Sequence, residues 1–313
     1  MRRWRVTLAE TIEGYLAQLR GALAGADPAL VQDALYDAEE YLRSAAAEDG
    51  TTPESIATAI DAYGTPEEIA DAYREREITV AEALRKPAPQ RRSTILGRFF
   101  GVLADPGAWG ALFYMLLALV TGIMYFTVVV TGLSLTFGLS VLIVGIPLAL
   151  LFIAIVRAVS LAEGRMVEGL LGLRMPRRPR TVGQTGNLWE RIKSWFTDYR
   201  TWTTMLYMVL QLMFGIIYFT VVVTGLSLAL SFIALPFAQW IFDLPLFVFG
   251  DYHYQMNWWA APFVILIGVL TFVATMWVAK GVGVLHGAYA KVMLVGRFDS
   301  DAAAGVAGQE VQS

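Results

Sequence analysis

Through the first eighty positions, apolar residues recur at helical steps and are cut by proline-marked starts. From about residue 109 onward they run together in long blocks. In the first region Leu8, Ile12, Leu16, Leu19 and Leu23 keep three- and four-residue spacing, the mark of one buried helical face. This predicts a helix from a Thr7 cap to about Ala24. Asp27-Pro28 predicts a second start, a capping carboxylate followed by Pro at the first helical position. That helix carries Leu30, Leu35, Tyr41 and Leu42 and is expected to end near Gly50. Thr52-Pro53 predicts a third helix stopping at Gly64. Thr65-Pro66-Glu67-Glu68 predicts a fourth, with acids at its positive end.

The later blocks have membrane character. Trp109 to Thr131 is apolar for about 23 residues, enough to cross roughly 30 Å of hydrocarbon. Trp109 and Tyr114 stand near its start, where aromatic rings favour the headgroup level. Thr131-Gly132-Leu133-Ser134 reads as a turn, and Leu135 to Val156 as the returning helix with a kink at Pro147. Gly138 and Gly145, seven apart, predict a packing face. Arg157 to Leu173 should continue that helix beyond the membrane. Met205 to Thr224 predicts a third span and Ala261 to Ala279 a fourth.

The eleven residues Tyr125–Leu135, YFTVVVTGLSL, return unchanged at Tyr218–Leu228, an offset of 93 (218 − 125). At the same offset Asp105 meets Asp198, Trp109 meets Trp202, Tyr114 meets Tyr207, Met115 meets Met208 and Gly122 meets Gly215. We read this as an internal duplication of a two-helix unit. Each unit crosses twice, so the two have the same orientation, a parallel tandem repeat. Gly172 and Gly296 align at offset 124, which places an insertion of about 31 residues (124 − 93) in the second unit. Most of it is Ala234–Trp259, which is rich in aromatics and has no Lys or Arg.

Charge sharpens the division. Residues 1–82 hold 7 Arg and 17 Asp/Glu, a formal −10, whereas 99–156 and 201–279 hold no Lys or Arg. Of the 24 Lys/Arg, 12 precede the first span, 9 lie in 157–200 and 3 follow the last span. With four spans all of them fall on one side, as the positive-inside bias requires. The expected orientation therefore places both termini in the cytoplasm. No cleavable signal peptide is expected, because Val6–Glu13 supplies no sustained apolar run. There is no Cys, so disulfide and thiolate chemistry are excluded.

The expected fold is all-α, a small helical head followed by four transmembrane helices. Its parts are 1–84, the acidic head; 85–104, a basic linker and interfacial segment; 105–172, the first membrane unit; 173–197, a basic loop; 198–296, the second unit with its insertion 234–259; and 297–313, a disordered tail. In the loop Trp189, Ile192, Trp195, Phe196, Tyr199 and Trp202 share one helical face. They predict an anchor lying on the inner membrane surface. Residues 157–200, nine basic residues against four acids, could also dock the acidic head. In the insertion Trp240, Asp243, Asp251, His253, Tyr254, Trp258 and Trp259 are the candidates for an outer ligand or partner contact. A simple aromatic belt is the plainer reading.

ETIEGYLAQLRGAL, DALYDAEEYLRSAAAEDG and AYGTPEEIADAYRE, within residues 8–76, resemble the HAAS signalling domain, a small cytoplasmic helical module. Asp105-Pro106 with Trp109, Tyr114, GIMYFTVVVTGLSL and Gly145-Ile-Pro-Leu148 resemble the four-helix sensor domain of bacterial signalling proteins. The first resemblance implies a protein partner such as a PadR-like regulator. In the second family a histidine-kinase module often follows; none is expected here. A formal −10 speaks against direct nucleic-acid binding by the head. Expected partners are the lipid bilayer and a regulator at the head, or other membrane subunits, with a homo-oligomer allowed.

No catalytic residue, cofactor or metal site is expected. His253 with Asp251 and two tyrosines offers too few ligands for a secure metal site, although it could respond to pH. His286 reads as a surface or packing residue at the inner interface. Gly281-Val-Gly283 follows a membrane helix and not a strand, so the nucleotide-loop reading fails its context. No predicted span holds Lys, Arg or Glu, and Gln211 is the most polar mid-helix residue, which disfavours transport. The competing class is a non-catalytic accessory or structural subunit of a larger membrane complex.

Overall fold

A computed structural model describes residues 11–48, 50, 52–84, 94–139, 145–178, 198–242, 247–250 and 252–295. The head holds α1 (Ile12–Ala22), α2 (Pro28–Glu48), α3 (Pro53–Tyr63) and α4 (Pro66–Leu84). Each start has its cap. The Asp27 carboxylate accepts from Ala29 N at 2.9 Å, the Thr52 hydroxyl from Ser55 N at 3.2 Å, and Thr65 and Glu68 cap each other reciprocally. The first helix starts later than expected: Thr11, and not Thr7, caps it, its hydroxyl accepting from Gly14 N. Gly64, at φ 107°, ends α3 in a conformation that side chains rarely adopt. The Tyr15 hydroxyl donates to the Gly64 carbonyl at 2.9 Å, tying α1 to that turn. Leu19, Leu30, Ala34, Leu42 and Ile60 close the head's core, while Tyr41 stays exposed and packs against Tyr63.

After α5 (Ile95–Phe100) and a 3-10 turn (Gly101–Ala104) come three long helices. These are α6 (Pro106–Gly138), α7 (Gly145–Leu171) and α8 (Tyr199–Phe242). A short antiparallel hairpin follows, β1 (Phe247–Phe249) with β2 (Tyr252–Tyr254), in which Phe247 pairs with Tyr254. The last long helix, α9 (Ala261–Ala290), ends in a π-helical turn, Lys291–Val295. Among the described residues four helices are long and apolar enough to cross a membrane, and the described residues are all-α apart from the hairpin.

The expected turns are not turns. Thr131-Gly-Leu-Ser134 lies inside α6, and Thr224-Gly-Leu-Ser227 lies inside α8. In an apolar medium an unbroken helix satisfies every backbone group internally, so local turn propensity loses. The two glycines serve packing instead. A Cβ on Gly132 would lie 2.1 Å from the Phe152 ring, and one on Gly225 would lie 2.4 Å from the Thr275 hydroxyl. Two further expectations fail with the turn. The return helix begins at Gly145, so Pro147 sits in its first turn and makes no kink. Gly138 ends α6, with nothing within 4 Å of its Cβ position, and shares no packing face with Gly145.

Helices α6 and α8 cross closely. A Cβ on Gly122 would stand 2.8 Å from the Gln211 carbonyl oxygen, and one on Gly215 would stand 2.3 Å from that of Ala118. Glycine at both positions lets the two backbones touch. At one end of the bundle Lys280 pairs with Asp105, the α6 cap, at 2.7 Å, and the Trp277 indole donates to the Phe99 carbonyl at 3.0 Å. At the hairpin end the Gln239 side chain both donates to and accepts from the Met256 backbone, fixing the hairpin to α8.

Candidate functional site: a buried tyrosine cluster and a basic seat for the head

The apolar stretch of α7 stops at Arg157. Beyond it Glu163, Arg165 and Glu168 follow within the same helix. Glu163 is fully buried. Its Oε1 accepts from the Tyr114 hydroxyl at 2.6 Å and the Tyr207 hydroxyl at 2.8 Å, and its Oε2 accepts from the Tyr125 hydroxyl at 2.8 Å. Three phenols on α6 and α8 therefore converge on one carboxylate from α7.

His286 of α9 closes the cluster. Its Nε2 lies 2.7 Å from the Tyr114 hydroxyl and 3.1 Å from that of Tyr207, and its Nδ1 lies 3.1 Å from that of Tyr218. Each phenol has one proton, and Tyr114 and Tyr207 direct theirs at Glu163. Nε2 must then donate, and Nδ1 is left to bond with the Tyr218 hydroxyl. Gln211 donates a further bond to the Tyr114 oxygen at 3.0 Å. Four long helices thus meet at one continuous polar network. Satisfied buried networks rigidify a core, and each orphaned donor in them costs about 1–3 kcal/mol.

Sequence reasoning missed this cluster. It placed Tyr114 at the headgroup level, but the residue is buried in the bundle core. It placed no Glu within a span, but the apolar-capable segment Pro147–Leu171 contains Glu163. It allowed His286 a surface position, but the ring is buried. One signal was available. Glu163-Gly164 and His286-Gly287 align at offset 123 (286 − 163), as do Gly145 and Gly268, so an acid and a histidine take matching places.

Past Leu171 the chain turns at Gly172, φ 74°, and runs back along α7, where Met175 packs against Gly164. This returning strand of chain is a basic seat for the head. Arg174 reaches Asp33 at 3.1 Å and Glu77 at 3.2 Å. Arg178 pairs with Asp37 at 2.9 Å and lies over the Tyr36 ring. Arg177 pairs back to Glu168 on α7 at 2.9 Å. The Arg177 and Arg178 backbone N–H groups both donate to Asp33 Oδ1 at 2.8 Å. Lys291 pairs with Asp27. Burial pushes the Asp33 carboxyl above its ordinary range, a push that its two N–H donors and Arg174 only partly offset.

The residues expected to matter at the outer insertion are not gathered around a cavity by the described contacts. Trp240 and Trp258 are each 85% exposed and Trp259 is exposed. For His253 and Tyr254 only the backbone strand is described, and Asp243 and Asp251 lie outside the described residues. Of the expected surface anchor, Tyr199 and Trp202 are exposed at the start of α8, while Trp189, Ile192, Trp195 and Phe196 lie outside the described residues, as does the tail. Among the described residues no group of three or more His, Cys, Asp or Glu is placed to hold a metal ion.

A helical head seated on four membrane-capable helices defines a multi-pass membrane protein with a docked helical domain. Residues 114–294, more than half of the chain, match the family described as "Putative sensor", and the chain belongs to it. Residues 14–72 match the HAAS family, which lies ahead of it as the resemblance implied. Both are non-enzymatic signalling families. No curated protein and no solved structure matches the chain.

Proposed function

We propose that this protein is an inner-membrane sensor that relays a membrane or envelope signal through its head to a soluble regulator, PadR-like in kind. It lies with its head in the cytoplasm. The observation that carries this reading is the placing of both sites on α7. Glu163 binds the four-helix core, and eight residues later the same helix ends and its chain turns into the Arg174–Arg178 seat. A shift in core packing moves the seat. The seat covers Asp33 and Asp37 on the acidic face of α2, so release of the head uncovers charge that suits a basic partner.

The duplication supports a symmetric origin for the core. Tyr114 and Tyr207 contact the same two groups, Tyr125 and Tyr218 take one group each, and Glu163 and His286 stand at matching positions. The one-residue change of offset, 123 at His286 and 124 at Gly296, falls where the π-helical turn Lys291–Val295 absorbs an extra residue.

The test is capture of partners from native membranes with the wild-type chain and with Arg174→Ala/Arg178→Ala. The reading expects a soluble regulator, captured more strongly by the variant. Equal capture of a fixed membrane complex by both forms would favour the accessory-subunit reading, for which the exposed Trp240 and Trp258 are the supporting feature.

A further inference from the structure

Beside the head seat lies a cleft of about 80 Å³ between α2, α7, the start of α8 and the π-helical turn. Arg157 of α7 and Arg200 of α8 both line it, with the hydroxyl residues Ser160, Thr201 and Thr204 between them. Its deeper wall is apolar, formed by Ile153 and Val156, and Gln32 of the head forms part of its rim. One acid, Asp198, also lines it. One of its carboxylate oxygens accepts the Arg200 backbone N–H at 3.2 Å.

The layering is specific. Arg157 is the residue at which the apolar run of α7 breaks, and the cleft it lines adjoins Gln32 of the head, at the end of the bundle where the head sits. Guanidinium groups bind phosphate oxygens through paired N–H donors, and basic pockets between membrane helices hold anionic lipid headgroups. The cleft lies between two helices that are long and apolar enough to cross a membrane, so a lipid headgroup is the phosphate source within reach. We propose that this cleft binds the phosphate headgroup of an anionic phospholipid, with Arg157 and Arg200 on the phosphate and the Thr201 and Thr204 hydroxyls as further donors.

The cleft touches the head through Gln32, whose side-chain amide donates to the Arg178 carbonyl at 2.8 Å. A bound headgroup therefore adjoins the seat and steadies it. This consequence rests on the relay reading above, whereas binding itself does not.

The test reconstitutes the full chain in phosphatidylcholine nanodiscs with and without phosphatidylglycerol and counts retained phosphatidylglycerol by native mass spectrometry. Wild type should retain it, and Arg157→Gln or Arg200→Gln should lower the apparent affinity about tenfold, the loss of a charge-assisted bond. Ser160→Leu fills the cleft while keeping both arginines and should lower it as well. Arg165→Gln removes the same charge from an exposed place on α7 outside the cleft and should leave retention unchanged. Equal loss in Arg165→Gln would mean diffuse attraction and overturn the site. Retention unaffected in the three cleft variants would also overturn it. Displacement of the lipid by inorganic phosphate alone, with no lipid preference, would assign the cleft to free phosphate and overturn the lipid. Amide exchange of α2 in the same samples reads the relay separately: lipid retained without any change in α2 keeps the site and counts only against the coupling.

Discussion

Glycine and glutamate set the terms at single positions. At Gly122 and Gly215 there is no room for a methyl group against the facing backbone. Gly215→Ala should force α6 and α8 apart and lower stability by about 1–3 kcal/mol, read as a drop in thermal midpoint in detergent. Gly138→Ala, with open space around it, should be nearly silent and serves as the control. In the head, the Glu68 carboxylate accepts the Thr65 backbone N–H, and this, with the Thr65 side chain, holds its carboxyl below the ordinary 4.5. A depressed folded value contributes stability above the unfolded value, and that stability is lost as pH falls through the depressed one. Glu68→Gln should therefore flatten the acid limb of head unfolding below about pH 4.5. An unchanged acid limb would mean that the capping pair is broken in solution. Thr65→Ala should cost about 1 kcal/mol at neutral pH.

Among the elements, α7 joins most of the molecule's polar chemistry. Its first half is apolar, and its second half carries Glu163 inward and ends in the basic seat. Replacing Glu163 by Leu would leave three phenols without their acceptor, whereas Gln keeps the size and one acceptor oxygen. The expected order of stability is wild type, then Glu163→Gln, then Glu163→Leu, with the last losing several kcal/mol at about 1–3 kcal/mol per orphaned donor. Thermal unfolding by circular dichroism gives the order. The same helix shows what the sequence could and could not reveal. Starts marked by Asp27, Thr52 and Thr65 were legible because capping is local chemistry. The ends of the spans were not, because Gly132 and Ser134 carry turn propensity that an apolar medium overrides. Glu163 and His286 were hidden for a related reason: their partners stand 38 to 172 positions away in the chain. Only the matching spacing of the two halves brings them side by side on paper.

For the whole molecule, head and bundle meet through charge. Asp27, Asp33, Asp37 and Glu77 face Lys291, Arg174 and Arg178. The opposite charges of head and loop were visible in composition; the fold supplies the register, with Asp33 accepting two backbone N–H groups that no charge count reveals. Asp33 is nearly buried at this junction, so Asp33→Asn should loosen the head without unfolding it. The central claim is that the buried cluster and the seat act through one helix. Amide hydrogen exchange on the full chain in nanodiscs, comparing wild type with Glu163→Gln, tests it most directly. The account predicts faster exchange in the segment 172–178 and along the seat-facing part of α2, with α1 and α3 in the head core still protected. Unchanged exchange at the seat, with loss of protection confined to the tyrosine cluster, would contradict it.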